Sequence, residues 1–530
     1  MRPSYDYIIV GAGSSGCVLA NRLSEDPRNS VLLLEAGPSD KHMLITMPMG
    51  LAKLFVPGSP YINFYQASPG GNRPPEHWMK GRTLGGSSSI NGMVYMRGIP
   101  EDYNDWAANG CPGWGWDEIR RCFMAIERHE HGAAEGRGGD GPLYVGVAPA
   151  RDRVSQATIE AARQMGVPIV DDVNAPSVAH DGGFGLQTRN IKRGRRVSAA
   201  TAFLRPIRHR KNLDIVTDAE VLGVALDGRR ATGVRLKHDG AESLIIANRE
   251  VLLSAGGIHS PCLLQRSGIG PAALLQGLGI EPVLDVAQVG RNLADHRVLT
   301  MQYRIRRGGN NLGLRHPRLA LSVLDYFVRG KGPLAQSSFV AGGLVKTDPT
   351  LDKPDIQIGL APFTSGRGGV SPYPAITLFG YTLRPESRGE LAITSRDNAT
   401  PPRIDANYMA TRYDRENAVA LLRYIRRMAA QPALASLITE EMIPGSAVQD
   451  DAALLEATFT YGNTGYHPSG TCRMGSDDDA VVDPRLRVRG IEGLRVIDTS
   501  IMPTLVSGNT SGPAMAIAWR AAELILADRQ

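Results

Sequence analysis

The stretch Tyr7-Ile8-Ile9-Val10-Gly11-Ala12-Gly13-Ser14-Ser15-Gly16, near the start of the 530-residue chain, decides the fold. Its first four residues are the apolar, β-rich run of a buried parallel strand, and the glycines after them have the GxGxxG spacing of a turn into a helix. Gly11 permits the tight turn, Gly13 lets the backbone approach a pyrophosphate, and Gly16 lets the following helix lie close to the strand. That helix, expected from about Ser14 to Ser24, aims its first amides, those around Ser14 and Ser15, at the phosphates. A second strand, Val31-Leu32-Leu33-Leu34, ends at Glu35-Ala36, where the Glu35 carboxylate is placed to accept both hydroxyls of an adenosine ribose and disfavours a 2′-phosphate. Strand, glycines, helix and acid together predict a Rossmann-like dinucleotide site, without saying which dinucleotide.

The rest of the composition narrows the class. Hydrophobic residues at 42% and charged ones at 21% are the balance of a globular protein, and the length allows about three compact units. A net charge of +6 with no long basic block gives no support to nucleic-acid binding. Cys17, Cys111, Cys122, Cys262 and Cys472 are odd in number and far apart, which argues against a disulfide framework or a zinc site. The first strand begins too early to leave space for a signal peptide, and no run of 18 apolar residues follows. A cytoplasmic protein, at most loosely attached to a membrane, is expected.

A second glycine-rich segment, Gly81-Arg82-Thr83-Leu84-Gly85-Gly86-Ser87-Ser88-Ser89-Ile90-Asn91-Gly92, is too distant to belong to the first motif. It strongly resembles the first signature of the glucose-methanol-choline (GMC) flavin oxidoreductases. The resemblance implies FAD, with this loop against the pyrophosphate and flavin and with Arg82, Leu84, Gly86, Ser87, Asn91, Gly92, Met93 and Val94 as contacts. The family's second signature is matched by Ser254-Ala255-Gly256-Gly257-Ile258-His259-Ser260-Pro261, which adds Ala255 and Gly256; Gly257 stands where alanine is commoner. Val289-Gly290-Arg291-Asn292-Leu293-Ala294-Asp295-His296 is similar to the segment that closes the FAD domain, so the likeness runs from residue 5 to about 525. Members that attach FAD covalently often use a histidine just before the signature asparagine. Here that place holds Ile90, which implies non-covalent FAD.

The resemblance also implies the catalytic pair. In Gly465-Tyr466-His467-Pro468-Ser469-Gly470-Thr471-Cys472, His467 stands at the catalytic position, and imidazole titrates in the range needed to take a hydroxyl proton. Asn509, in Ser507-Gly508-Asn509-Thr510, is the second partner, able to hold a substrate oxygen without competing for its proton. Asp498, Thr499, Thr510 and Tyr466 are expected beside the flavin, His259 and His296 as structural or supporting residues, and Cys472 as buried and inert.

The expected architecture is α/β, with an FAD-binding domain built from 1–150, 195–296 and 462–530 interleaved with a sheet-plus-helices substrate domain from 151–194 and 297–461. Leu213–Val216 and Val221–Val224, followed by Asp227-Gly228, read as hairpin strands, with the Val221 backbone offered to adenine. Ile356–Ile358 and Ile376–Phe379 read as strands of the second domain and Asp414 to Ala430 as a helix. Choline-oxidising members carry a glutamate two residues after the Asp-His pair, where this chain has Val298, so an uncharged aliphatic, aryl or furanic primary alcohol is the expected substrate. The alternatives left open are choline oxidation and a non-redox FAD lyase or decarboxylase. Oxygen, a quinone or another carrier would reoxidise the flavin, and the chain would be a monomer or homodimer.

Overall fold

A computed structural model describes residues 1–149, 152–366 and 369–528. The expected domain boundary at 150/151 therefore falls outside the described residues. Two seven-stranded sheets organise the chain. In the first, the strands Leu213–Val216, Val31–Leu34, Ser4–Val10 and Ala241–Leu253 lie parallel in that order. Ile8, Ile9 and Leu32 are fully buried, as a parallel sheet covered on both faces requires. Ala241–Leu253 is long enough to serve two neighbours on its far edge. Its first half pairs with Arg230–His238, and Val251, Leu252 and Leu253 pair in parallel with Leu494–Val496.

One expectation needs correction here. Leu213–Val216 forms no hairpin with the strand that follows; it is the parallel edge beside Val31–Leu34, in register from Leu213 opposite Val31 to Val216 opposite Leu34. Asp227-Gly228 instead turns Ala219–Asp227 back against Arg230–His238. A short apolar run looks the same in a parallel edge and in a hairpin, so periodicity alone could not separate them.

The second sheet, in the order Ile438–Ile443, Arg297–Ile305, Ala375–Thr382, Ile356–Ala361, Ala341–Val345 and Gly183–Leu186, is antiparallel throughout. Its two faces follow the period of two. Leu299, Met301, Ile376, Leu378, Ile356 and Ile358 point into a core closed by the helix Arg412–Ala429, which contributes Ala418, Leu421 and Ile425. Val298, Thr300, Thr377, Phe379 and Tyr381 point the other way, into a cavity between the sheets. A smaller four-stranded sheet joins Ile62–Ser68 and Glu76–Gly81 to Glu390–Ala392 and Arg403–Asp405, so early and late segments of the chain share one sheet.

Candidate active site

The cavity has a volume of about 840 Å³ and runs from Val221 and Asn398, past Gly11, Gly13 and Ser14, to His467 and Asn509. Its first stretch is backbone. The Ser14–Leu23 helix starts at the end of the Ser4–Val10 strand, and a Cβ on Gly16 would stand 1.9 Å from the Gly11 carbonyl oxygen, so only glycine lets helix and turn meet. The second glycine loop packs on the first: a Cβ on Gly86 would reach within 2.7 Å of the Gly13 Cα. Glu35 accepts hydrogen bonds from the amides of Ala12 (3.0 Å) and Gly37 (2.9 Å), which orients both oxygens and leaves lone pairs for a ribose diol. Burial raises its carboxyl to about 7.

Of the residues expected to hold the cofactor, Gly11, Gly13, Ser14, Ser15, Glu35, Ala36, Arg82, Gly86, Ser87, Asn91, Gly92, Met93, Val94, Val221, Ala255, Gly256, Tyr466, Asp498, Thr499, Asn509 and Thr510 line this one cavity. Gly16 and Leu84 stand off it. Gly16 acts through packing, and Leu84 lies against the core with its carbonyl accepting from the Ser89 hydroxyl. The Val221 carbonyl accepts from the Asn398 side chain at 2.9 Å. Asp498 works as a brace: it accepts from the Gly256 amide (2.8 Å), the Ser260 hydroxyl (2.5 Å) and the Ser500 amide (2.8 Å), tying the start of the Gly256–Arg266 helix to the segment after Leu494–Val496. Ile90 lines the wall and packs with Ile45, Leu54 and Ile62.

At the other end a chain of hydrogen bonds has a fixed direction. The Leu383 carbonyl can only accept, so His296 Nε2, at 2.9 Å, carries its proton. His296 Nδ1 is then a bare acceptor, and the proton between it and His467 Nδ1, 2.9 Å away, belongs to His467. That leaves His467 Nε2 unprotonated, where it accepts from Asn509 Nδ2 at 3.2 Å. Asn509 Oδ1 in turn accepts from Gln357 Nε2 at 3.3 Å, and Gln357 Oε1 from the Tyr381 hydroxyl at 2.6 Å. Gln357 and Tyr381 stand directly opposite each other on neighbouring strands, so sheet register sets this end of the chain.

Burial, then the neighbouring His296 and Lys80, hold His467 well below the ordinary imidazole range, and burial lowers His296 to about 4. Both rings are neutral at physiological pH. Asp295, buried beneath them, accepts from the His467 amide (2.7 Å), from Thr464 Oγ1 (2.6 Å) and from the Tyr408 hydroxyl, and so positions the backbone of His467. Tyr466 adopts φ +60° and its carbonyl accepts from Lys80 Nζ at 3.1 Å. His259 also faces the cavity, bonded to Asn63 and the Tyr65 hydroxyl. Cys472 is fully buried, and burial pushes its thiol well above the ordinary range.

Two further features of the lining bear on what the cavity can hold. Ser254 Oγ and Ser511 Oγ are buried without a protein partner, and both residues line the cavity, Ser511 at the start of the Ser511–Ala527 helix. Polar atoms so placed fit a ligand that brings its own hydrogen-bonding groups. Phe339 and Phe379, which line the same cavity, pack with ring centroids 4.4 Å apart, seated where a Cβ on Gly92 or Gly359 would strike a ring. Nothing in the sequence marked Lys80, Gln357, Tyr381, Phe339, Phe379 or Asn398. The alternation of the later strands could have placed Tyr381 and Phe379 on one face, though not opposite His467.

Family models described as GMC oxidoreductase match residues 5–298 and 385–518. The chain belongs to the GMC oxidoreductase family. Among its relatives, an "Alcohol dehydrogenase [acceptor]" of Pseudomonas putida is 39% identical over 98% of this chain and 96% of that protein, and a mitochondrial choline dehydrogenase of Mus musculus is 38% identical over 99% and 90%. A crystal structure of pyridoxine 4-oxidase from Mesorbium loti superposes with a TM-score of 0.88 at 32% identity, covering 98% of this chain and 99% of that one. This GMC protein is an FAD-dependent oxidoreductase acting on CH-OH groups. Among the described residues no helix is long and apolar enough to cross a membrane.

Proposed function

We propose that the chain oxidises an uncharged primary alcohol to the aldehyde. The observation that carries this reading is the directed chain Leu383–His296–His467–Asn509, which leaves His467 Nε2 as a neutral acceptor on the cavity wall. A hydroxyl that donates to His467 Nε2 and accepts from Asn509 Nδ2 bridges the pair. His467 then takes the hydroxyl proton, and Asn509 steadies the developing negative charge on oxygen. The glycine loops around Gly11, Gly13 and Gly86 would hold FAD, which when bound would supply the acceptor for the hydride that leaves the substrate carbon. Gln357 fixes which way Asn509 faces, because its amide proton selects Asn509 Oδ1 and turns Nδ2 toward the histidine.

The cofactor is held without a covalent bond, since Ile90 offers no attachment atom. Residues 1–150, 195–296 and 462–530 form the FAD-binding part, and 151–194 and 297–461 the substrate part. The second sheet lines the cavity with Val298, Thr300, Thr377 and Phe379; the carboxylates among the described lining residues are Glu35, Glu220 and Asp498, none of them contributed by that sheet. No counter-charge for a quaternary ammonium stands there, which supports an uncharged alcohol and disfavours choline. The relative named for alcohol dehydrogenation is in keeping with that, and the one named for choline is the alternative to be tested.

The test is to mix the holoenzyme, without oxygen, with aliphatic, benzylic and furanic alcohols and with choline, following the flavin band near about 450 nm. Bleaching by uncharged alcohols ahead of choline is expected. Bleaching by choline alone would overturn the substrate reading. Readmitting air then separates oxygen from a quinone or other carrier as acceptor.

A further inference from the structure

The helix Arg318–Arg329 is folded against the protein by very little of its surface. Of its twelve residues only Ser322 and Tyr326 are buried, Ser322 donating to the Gly313 carbonyl and Tyr326 packing with Met47, Leu334 and Ala335. Its outer face is apolar: Leu321 is 67% exposed, Leu324 60%, Phe327 58% and Val328 72%. Leu321, Leu324 and Val328 fall at i, i+3 and i+7, one continuous stripe with Phe327 beside it. A stripe of this kind on an otherwise polar surface marks an interaction site.

What surrounds the stripe says what it meets. Arg315, Arg318, Arg329 and Lys331 flank it, and its one acid, Asp325, is paired with Arg329. At its foot Phe327 and the exposed Met43 open onto a hollow of about 500 Å³ whose wall also carries Lys41, Arg193, Arg195 and Arg329. An apolar stripe ringed by cations is complementary to a surface that is oily inside and anionic outside. A second copy of the chain fits poorly, because a two-fold contact through this face would bring the same cations together. The supporting chain also leads to the active site: Leu51 and Phe55 follow Met47 in sequence, Phe339 follows Leu334 and Ala335, and all three line the large cavity.

We propose that the Arg318–Arg329 helix and the cationic hollow at its foot form a docking surface for an anionic phospholipid bilayer, holding the protein on the membrane without crossing it. The helix lies in the headgroup plane with Leu321, Leu324, Phe327 and Val328 among the acyl chains, and Lys41, Arg193 and Arg195 take phosphate groups. One edge of the active-site cavity then rests close to the lipid.

The experiment is flotation of the holoenzyme with vesicles of phosphatidylcholine alone and with added phosphatidylglycerol, at low and high salt. The wild-type protein is expected to float with the anionic vesicles and to be released by salt. The double variant Leu324→Glu/Phe327→Glu changes exposed side chains only, so its flavin content and its activity on a water-soluble alcohol should be retained while flotation is lost. Arg193→Gln/Arg195→Gln should weaken binding to anionic vesicles about fivefold for each cation removed, the equivalent of about 1 kcal/mol, and leave phosphatidylcholine unaffected. Failure of the wild-type protein to float, or flotation of the Leu324→Glu/Phe327→Glu variant equal to wild type, would overturn the proposal. A dimer in vesicle-free solution that this variant breaks would assign the face to a second copy and overturn it equally.

Discussion

The two ends of the large cavity are built from different materials. Around Gly11, Gly13, Gly86 and Gly256 the wall is backbone, packed closely at Gly11 and Gly86, where a Cβ would strike neighbouring main chain, and braced by two carboxylates, Glu35 and Asp498, that accept from main-chain amides. Around His467 the wall is side chain, ordered by a hydrogen-bond chain that crosses from the last segment of the sequence to the second sheet. A cofactor common to a whole family can be held by amides, whose positions depend on the turn and little on neighbouring side chains. A substrate must be told from others, and that takes side chains whose identity can vary without disturbing the turn.

The comparison breaks most directly at its backbone end. Gly16→Ala drives a Cβ into the Gly11 carbonyl, so the helix must leave the strand; we expect loss of bound FAD and a destabilisation of about 3 kcal/mol or more, read from flavin absorbance per protein and the unfolding midpoint. At the side-chain end the converse holds. Gln357→Leu should keep FAD at wild-type occupancy yet lower the rate of flavin reduction about tenfold, because Asn509 Oδ1 loses its donor and the amide is free to turn away from His467. Loss of FAD in Gln357→Leu would erase the distinction between the two ends.

The pH profile sharpens the same contrast. As the proposed base, His467 is needed unprotonated, and its lowered pKa keeps it so well into the acid range. The acid limb of kcat/KM should therefore fall below pH 6.5, the ordinary imidazole value, with activity lost only as pH drops through the lowered pKa. A limb at 6.5 or above would show that the ring is not held in the buried, neutral state described. The smallest effect is expected at Val298→Glu, which adds a carboxylate to the substrate wall: stability and FAD content should change little, while the ratio of choline to uncharged alcohol in flavin reduction rises severalfold.

How much could be read from the sequence follows the same line. The glycine loops, Glu35 and the strands that precede them are local, each feature within a few residues of the next, so their spacing alone predicts their geometry. His467 and Asn509 carry recognisable motifs, and the structure brings them within hydrogen-bond distance of each other. Gln357 and Tyr381 carry none: their role arises from a register between two strands, and from the packing of the sheet on a segment more than a hundred residues away. The misread of Leu213–Val216 has the same origin, because its parallel partner lies at Val31–Leu34 and not next along the chain. Lys80 precedes a recognised loop by one residue, yet nothing local shows that burial in the cavity lowers its ammonium to about 8.

The central claim is that His467 is the base of an alcohol oxidation. Its most direct test is single-turnover reduction of the flavin by the best uncharged primary alcohol, without oxygen, in wild type and His467→Ala at equal FAD occupancy. The account predicts a loss of about 10²- to 10⁴-fold in the reduction rate with the flavin still bound. A variant that reduces its flavin at the wild-type rate would contradict it.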